Sequence, residues 1–207
     1  GGSNAPSASP GMQTREPPSP EEQARTAYNA GVRTVEKADE QLVDAARQAD
    51  ARKQQKLRAK AEGNYRGALK KFARATELRP AMHEAWNYLG YSQRKLGNFP
   101  APLEAYDRAL ALRPNYAEAI EYRGHAYLGL NRLAEAKEAY LALFAGNRKL
   151  AASLLEAMQQ WVGEHRGDAR AVDAGTYDAF ATWVGERSAI AGQTAGLTRE
   201  GASAAWK

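Results

Sequence analysis

The chain has 207 residues, 43% of them hydrophobic and 26% charged, a length and composition that suit one or two globular domains with a sizeable core. It has no cysteine, which excludes a disulfide framework, a thiolate zinc or iron–sulfur site and a cysteine nucleophile, and no apolar run reaches the roughly 18 residues that a membrane-spanning helix needs. Lys and Arg number 29 against 24 Asp and Glu, a formal charge of +5 that permits acidic partners without demanding them.

Residues 1–20 hold Pro6, Pro10, Pro17, Pro18 and Pro20 among dense Ser and Gly, with no aromatic residue. Such a stretch buries too little apolar surface to offset its chain entropy, so it is predicted to be a disordered tail. The chain opens at Gly1, and two readings stay open. One is an exported, periplasmic bacterial protein whose leader has been removed, with the tail as a tether; the other is a cytoplasmic protein whose first residues are a cloning scar.

Beyond the tail the sequence repeats. A shift of 34 carries Gly63, Asn64, Tyr65, Phe72, Ala75, Leu78, Arg79 and Pro80 onto Gly97, Asn98, Phe99, Tyr106, Ala109, Leu112, Arg113 and Pro114. A second shift carries Trp86, Gly90 and Tyr106 onto Ile120, Gly124 and Tyr140. Within the period, apolar residues recur at helical spacing on either side of Gly97-Asn98, which reads as helix, tight turn, helix. Pro114 ends the second helix, and Pro102 fits only a helix that begins within a turn of it.

These residues resemble the tetratricopeptide repeat family, whose motif is 34 residues long with W-x2-L-G, a later small residue, an aromatic and a closing proline. Trp86, Leu89, Gly90, Tyr106, Ala109 and Pro114 match it, and the following repeat keeps Gly124, Tyr127, Ala136 and Tyr140. The implied fold is an all-α helical solenoid of about three repeats over residues 21–147, closing near 80, 114 and 147.

The opening helix of the first repeat is similar to the family at Tyr28-Asn29-Ala30-Gly31-Val32. From Gly31 to Gly63 there are 25 more residues than between Gly90 and Gly97, about seven helical turns. One long helix over 21–62 that protrudes from the array is therefore predicted. Arg47 to Arg74 carries a local excess of eight positive charges, with Arg52, Lys53, Lys56, Arg58 and Lys60 at its centre. That run is either a solvated helix face or a docking surface for an acidic partner. Nucleic acid is the weaker reading, because stacking aromatics are scarce and Tyr65 and Phe72 fall at core positions.

Residues 148–207 form a helical extension. Trp161-Val162-Gly163-Glu164 is echoed by Trp183-Val184-Gly185-Glu186, which predicts two short amphipathic helices with aromatic stripes. They cap the solenoid or present an aromatic platform to a partner. Gln193–Lys207 is Gly/Ala-rich and either docks through Leu197 and Trp206 or stays mobile.

His83, His125 and His165 are scattered, and no nucleotide-loop, nucleophile-elbow or zinc-helix motif occurs. No catalytic residue, metal or cofactor is predicted. The resemblance implies a non-catalytic adaptor whose first helices line a concave groove for a peptide or partner helix. Position by position, the groove residues are Glu84, Asn87, Tyr91, Arg94 and Lys95 in the middle repeat and Glu118, Glu121, Tyr122, His125 and Leu128 in the last, with Tyr28 and Val32 added by the first helix. A subgroup of the family grips a terminal carboxylate with Lys and Asn, a pattern from which Asn87, Tyr91, Glu121 and His125 depart. The remaining alternatives are a basic-helix binder of nucleic acid or an acidic surface, and a self-assembly module.

Overall fold

The computed structural model describes residues 16–98 and 101–203, with 194–203 as helix backbone alone. Among them are eight helices: α1 (Pro20–Arg47), α2 (Ala51–Leu78), α3 (His83–Lys95), α4 (Ala101–Leu112), α5 (Ala117–Gly129), α6 (Leu133–Gly146), α7 (Arg148–Glu164) and α8 (Ala174–Ser203). The expected disordered tail lies outside the described residues up to residue 15. At its end Ser19 caps α1 in a reciprocal box with Glu22, and Pro20 takes the first helical position.

The predicted single helix over 21–62 is corrected to a hairpin of two 28-residue helices. The chain turns at Gln48, whose backbone is extended, and restarts at Asp50, whose carboxylate accepts from the backbone N–H groups of Arg52 and Lys53 at 2.8 and 3.0 Å. A lone protruding helix would leave the stripe Val35, Ala38, Leu42 and Ala45 in water. Folding back buries Val35, Ala38 and Ala45 and packs Leu42 beside Ala61, Tyr65, Ala68 and Phe72. Alanine side chains at Ala38, Ala45, Ala61 and Ala68, all fully buried, let the two helices approach closely. Asn64 donates to Gln41 at 2.8 Å and Lys71 to Thr34 at 2.7 Å across the seam. The 25 extra residues thus lengthen both helices of the first repeat, and Gly63, aligned in sequence with the turn glycine Gly97, stands inside α2.

The shorter pairs α3/α4 and α5/α6 follow the predicted pattern. Pro102 is the second residue of α4, and α2 and α4 stop two residues before Pro80 and Pro114. Trp86 donates its indole N–H to the Pro80 carbonyl at 2.8 Å, pinning α3 to the turn before it. A close approach recurs in each repeat: a Cβ built on Gly31 would lie 2.6 Å from Phe72, one on Gly90 2.7 Å from Tyr106, and one on Gly124 2.6 Å from Leu154 of α7. In the last repeat, therefore, the space beside the glycine is filled from α7.

Helices α1, α3, α5 and α7 pack on one another in succession, whereas α2 and α4, and α4 and α6, make no comparable contact among the described residues. Direct contact on one side alone curves the array, with the odd-numbered helices on the inner face. At the far end Leu154, Leu155, Met158 and Trp161 of α7 and Phe180 and Val184 of α8 are buried with Tyr140 and Leu143 of α6. The predicted short second helix of this extension is corrected to a 30-residue helix. The break falls after Glu164, because Gly163 continues α7 and the turn is made at Gly167, at φ 76°. Residues 193–203 continue α8, and Trp206 lies outside the described residues.

Two glycine substitutions should behave oppositely in urea denaturation. Gly90→Ala is expected to destabilise the chain by about 1–3 kcal/mol through overpacking against Tyr106. Gly63→Ala, where nothing lies within 4 Å of the new methyl group, is expected to stabilise it by about 0.5–1 kcal/mol through helix propensity.

Candidate functional site

The inner face is built from helix periodicity. Glu84, Asn87, Tyr91 and Arg94 follow one another at three- and four-residue steps on α3, and on α5 the adjacent Glu121 and Tyr122 each lie three or four residues from Glu118 and from His125. The contact between α1, α3 and α5 brings the two lines beside Tyr28 and Asp39 of α1.

Asp39 is the point where the first three helices meet. Tyr91 donates its hydroxyl to Asp39 Oδ1 and Oδ2 at 2.8 and 2.9 Å, Tyr65 of α2 donates to Oδ1, and Lys95 Nζ stands 3.6 Å from the same oxygen. Burial, followed by the Asp39 charge and its hydrogen bond, pushes the Tyr91 phenol far above its usual range. Burial and the hydrogen bond to Asp39 do the same to Tyr65. Lys95 is pushed below its ordinary value by burial, with Asp39 opposing the shift. The arrangement is two neutral phenols and an ammonium gathered on one carboxylate.

Aromatic rings continue along the face. The Tyr28 ring centroid is 5.9 Å from Tyr88, Tyr88 is 6.2 Å from Tyr91, and Tyr91 is 4.9 Å from Tyr122. Arg94 lies over Tyr91 and Tyr122 at 5.3 and 5.8 Å, and Lys95 over Tyr65 and Tyr91 at 5.8 and 5.4 Å. Burial raises the phenols of Tyr28 and Tyr106 to about 12, with Tyr88 and Glu84 adding to the shift at Tyr28 and Arg94 opposing it at Tyr106.

Further along, Glu121 is buried, with Ser153 of α7 donating to its Oε1 at 2.6 Å and His125 Nε2 3.4 Å from the same oxygen. Burial pushes its carboxyl up, but the hydrogen bonds from His125 and Ser153 and the charges of His125 and Arg94 outweigh it and hold the group below 4.5. Beside it a cavity of about 460 Å³ opens between α3, α5 and α7, lined among others by Arg94, His125, Leu128, Gln160, Trp161 and His165.

Of the residues expected from sequence, Tyr91, Arg94, Lys95 and Tyr122 form one cluster and Glu121 and His125 another. Tyr28 joins the row through Tyr88. Tyr91 and Asn87 are 8% and 1% exposed, so they form the floor of the groove rather than its free surface. Glu118 is exposed at the rim. Arg52, Lys53, Lys56, Arg58 and Lys60 are all exposed along the first half of α2 and join none of these contacts. The sequence reading missed Asp39, Tyr88 and Ser153. Asp39 had a signal, since it is a carboxylate four residues beyond Val35 on the apolar stripe of α1; Ser153 had none.

The profile of the tetratricopeptide repeat family matches residues 57–117 and again residues 90–148. Over residues 57–148 the chain is similar to tetratricopeptide repeats. No curated protein matches the chain. The tetratricopeptide repeat match begins within α2 and ends at the first residue of α7, so α1, the turn of the long hairpin and most of the C-terminal extension lie outside it. Tetratricopeptide repeats mediate protein–protein interaction and are typically non-catalytic. Among the described residues no helix is long and apolar enough to cross a membrane, and no group of three or more His, Asp or Glu side chains is placed to hold a metal ion.

Because the folded-state pKa of Glu121 lies below 4.5, its ionised form contributes stability that is present above that pH and lost as pH falls through the folded value. Glu121→Gln should therefore be less stable than wild type at neutral pH, and the gap in urea denaturation should narrow as the solution is acidified below 4.5. A gap that holds its size in acid would contradict this account of the carboxylate.

Proposed function

We propose that the chain is a non-catalytic adaptor that holds an extended protein segment or a partner helix on the concave face of its tetratricopeptide repeats. The observation that carries this reading is the convergence of α3, α5 and α7 on the cavity of about 460 Å³, where apolar Leu128 and Trp161 stand among the polar tips of Arg94, His125 and Gln160. Polar side chains line most of the cavity and can set the register of a bound peptide, with Leu128 and Trp161 adding apolar contact. Tyrosine and arginine supply large, amphipathic contact surfaces.

The groove is also organised before any ligand arrives. Arg94 rests on two tyrosine rings, Tyr91 is tethered to Asp39, and Glu121 is held by Ser153 and His125. Side chains that are already fixed lose little freedom on binding, so most of the ordering cost falls on the ligand. The basic stripe on α2 supports a second reading, in which an acidic surface docks outside the groove.

Selection of phage-displayed random peptides against the full chain, followed by affinity measurement on variants, separates the two. Peptides should lose about tenfold in affinity, equivalent to about 1.4 kcal/mol, with His125→Ala combined with Gln160→Ala. They should be unaffected when Arg52, Lys53, Lys56 and Arg58 are all changed to Gln. The helical signal of the groove variant should match wild type, since Glu121 keeps its bond from Ser153. Peptides weakened only by the α2 variant would move the site to the basic hairpin.

A further inference from the structure

The cavity between α3, α5 and α7 has a neighbour. On α7 its lining runs through Ala157, Gln160, Trp161, Glu164 and His165, one side of the helix's last turns. A second cavity, of about 270 Å³, begins at the same His165. It is enclosed by the turn after α7 and the start of α8, with Ala169, Val172, Ala174 and Tyr177 among its walls. His165 is therefore a wall that both cavities share.

That wall is braced from several sides. The His165 ring lies flat on Trp161, with centroids 4.3 Å apart and an interplanar angle of 11°, and its Nδ1 donates to the Trp161 carbonyl at 2.9 Å. Asn131 makes the turn between α5 and α6 at a left-handed φ of 57°. Its side chain accepts from the Trp161 indole at 3.1 Å and donates to the Ala171 carbonyl at 3.3 Å, joining that turn to α7 and to the chain beyond it. Tyr177 donates its hydroxyl to the Val162 carbonyl at 2.8 Å and ties α8 to α7 beside the opening. Walls pinned in this way hold the space open, and the small residues Gly167, Ala169 and Ala174 leave it unfilled.

The lining also selects the chemistry of an occupant. Arg166 and Asp178 are exposed and opposite in charge. Asp168 is engaged by Arg170, whose backbone N–H and Nε both donate to it at 3.1 Å. With those charges balanced, the contact surface is that of Val172, Tyr177 and the two alanines, which favours an uncharged apolar group. A volume of about 270 Å³ lies below the roughly 300–1,000 Å³ of small-molecule sites. It suits a single side chain.

We propose that this opening is a second pocket of the peptide groove, and that it takes an apolar side chain of the bound segment where the segment crosses His165 from the Arg94–His125 cavity. The assignment rests on the groove reading and adds an anchor to it. The first cavity, lined mostly by polar groups, sets register, and the second supplies apolar burial. Because hydrogen bonds already fix the shared wall, the ligand does not have to order it.

The test is an alanine scan of a peptide selected on the full chain, read by isothermal titration calorimetry against wild type and pocket variants. One apolar residue of the peptide should cost about tenfold in affinity when changed to Ala. Ala174→Phe and Ala169→Phe, at exposed positions that line the opening, should each weaken the peptide about tenfold. In either variant the apolar residue should matter by less than about twofold, the coupling expected of groups that share one space. Ala179→Phe, exposed on α8 outside the lining, should bind as wild type. Unchanged binding by both pocket variants, or an apolar residue that costs as much in them as in wild type, overturns the proposal. If peptides depend on His125 and Gln160 but ignore Ala174→Phe and Ala169→Phe, the second pocket falls and the groove stands. If no selected peptide depends on His125 and Gln160 either, both fall.

Discussion

The fold turns on an apolar stripe that a single helix could not hide. Val35, Ala38, Leu42 and Ala45 extend the inner surface of α1 well past the length of an ordinary repeat helix. In water that surface has to find a partner, and the nearest one is the next stretch of chain. Alanine at the contact lets α2 return close along α1, and the two form a rigid hairpin rather than a free spike. Everything downstream takes its position from this hairpin, because α3 packs on both of its helices.

Asp39 turns that packing into chemistry. It lies in the part of α1 that the fold-back brings opposite α2 and α3, and it accepts from Tyr65 and Tyr91 while facing Lys95. Two phenols from different helices and an ammonium thus gather on one acceptor of α1. The same contacts fix the tyrosine row at a defined height in the groove, so the hairpin orients side chains on the next repeat. A longer first repeat and a shaped inner face are therefore one structural fact.

The groove is furnished differently at the two ends of its helices: Glu84 and Glu118 stand in the first turns of α3 and α5, whereas the cavity toward their C-terminal ends is lined by Arg94, His125, Glu164 and His165. The basic stripe on the first half of α2 lies on another face and contributes to neither end. At the far end of the array, α7 does more than cover the last repeat: Leu154 fills the space beside Gly124, and Ser153 reaches into the groove to hold Glu121. A helix outside the repeat motif thus supplies part of the site.

The sequence by itself determined the repeat architecture, since Gly90 with Tyr106 and Pro114, and their echoes one period away, are local requirements of close helix packing and chain reversal. The resemblance to the repeat motif also implied a groove line holding Tyr91, Arg94, Tyr122 and His125, because each matched position of the motif carries its face with it. What it left open was how the long first repeat is arranged. A continuous helix and a hairpin share the same period, and the choice depended on Gln48 and the cap at Asp50 together with burial against α2. It could not tell that Asp39 and Ser153 belong to the groove, or that Tyr91 is bound into its floor. Those facts depend on distances between helices far apart in the chain, and only tertiary packing sets them.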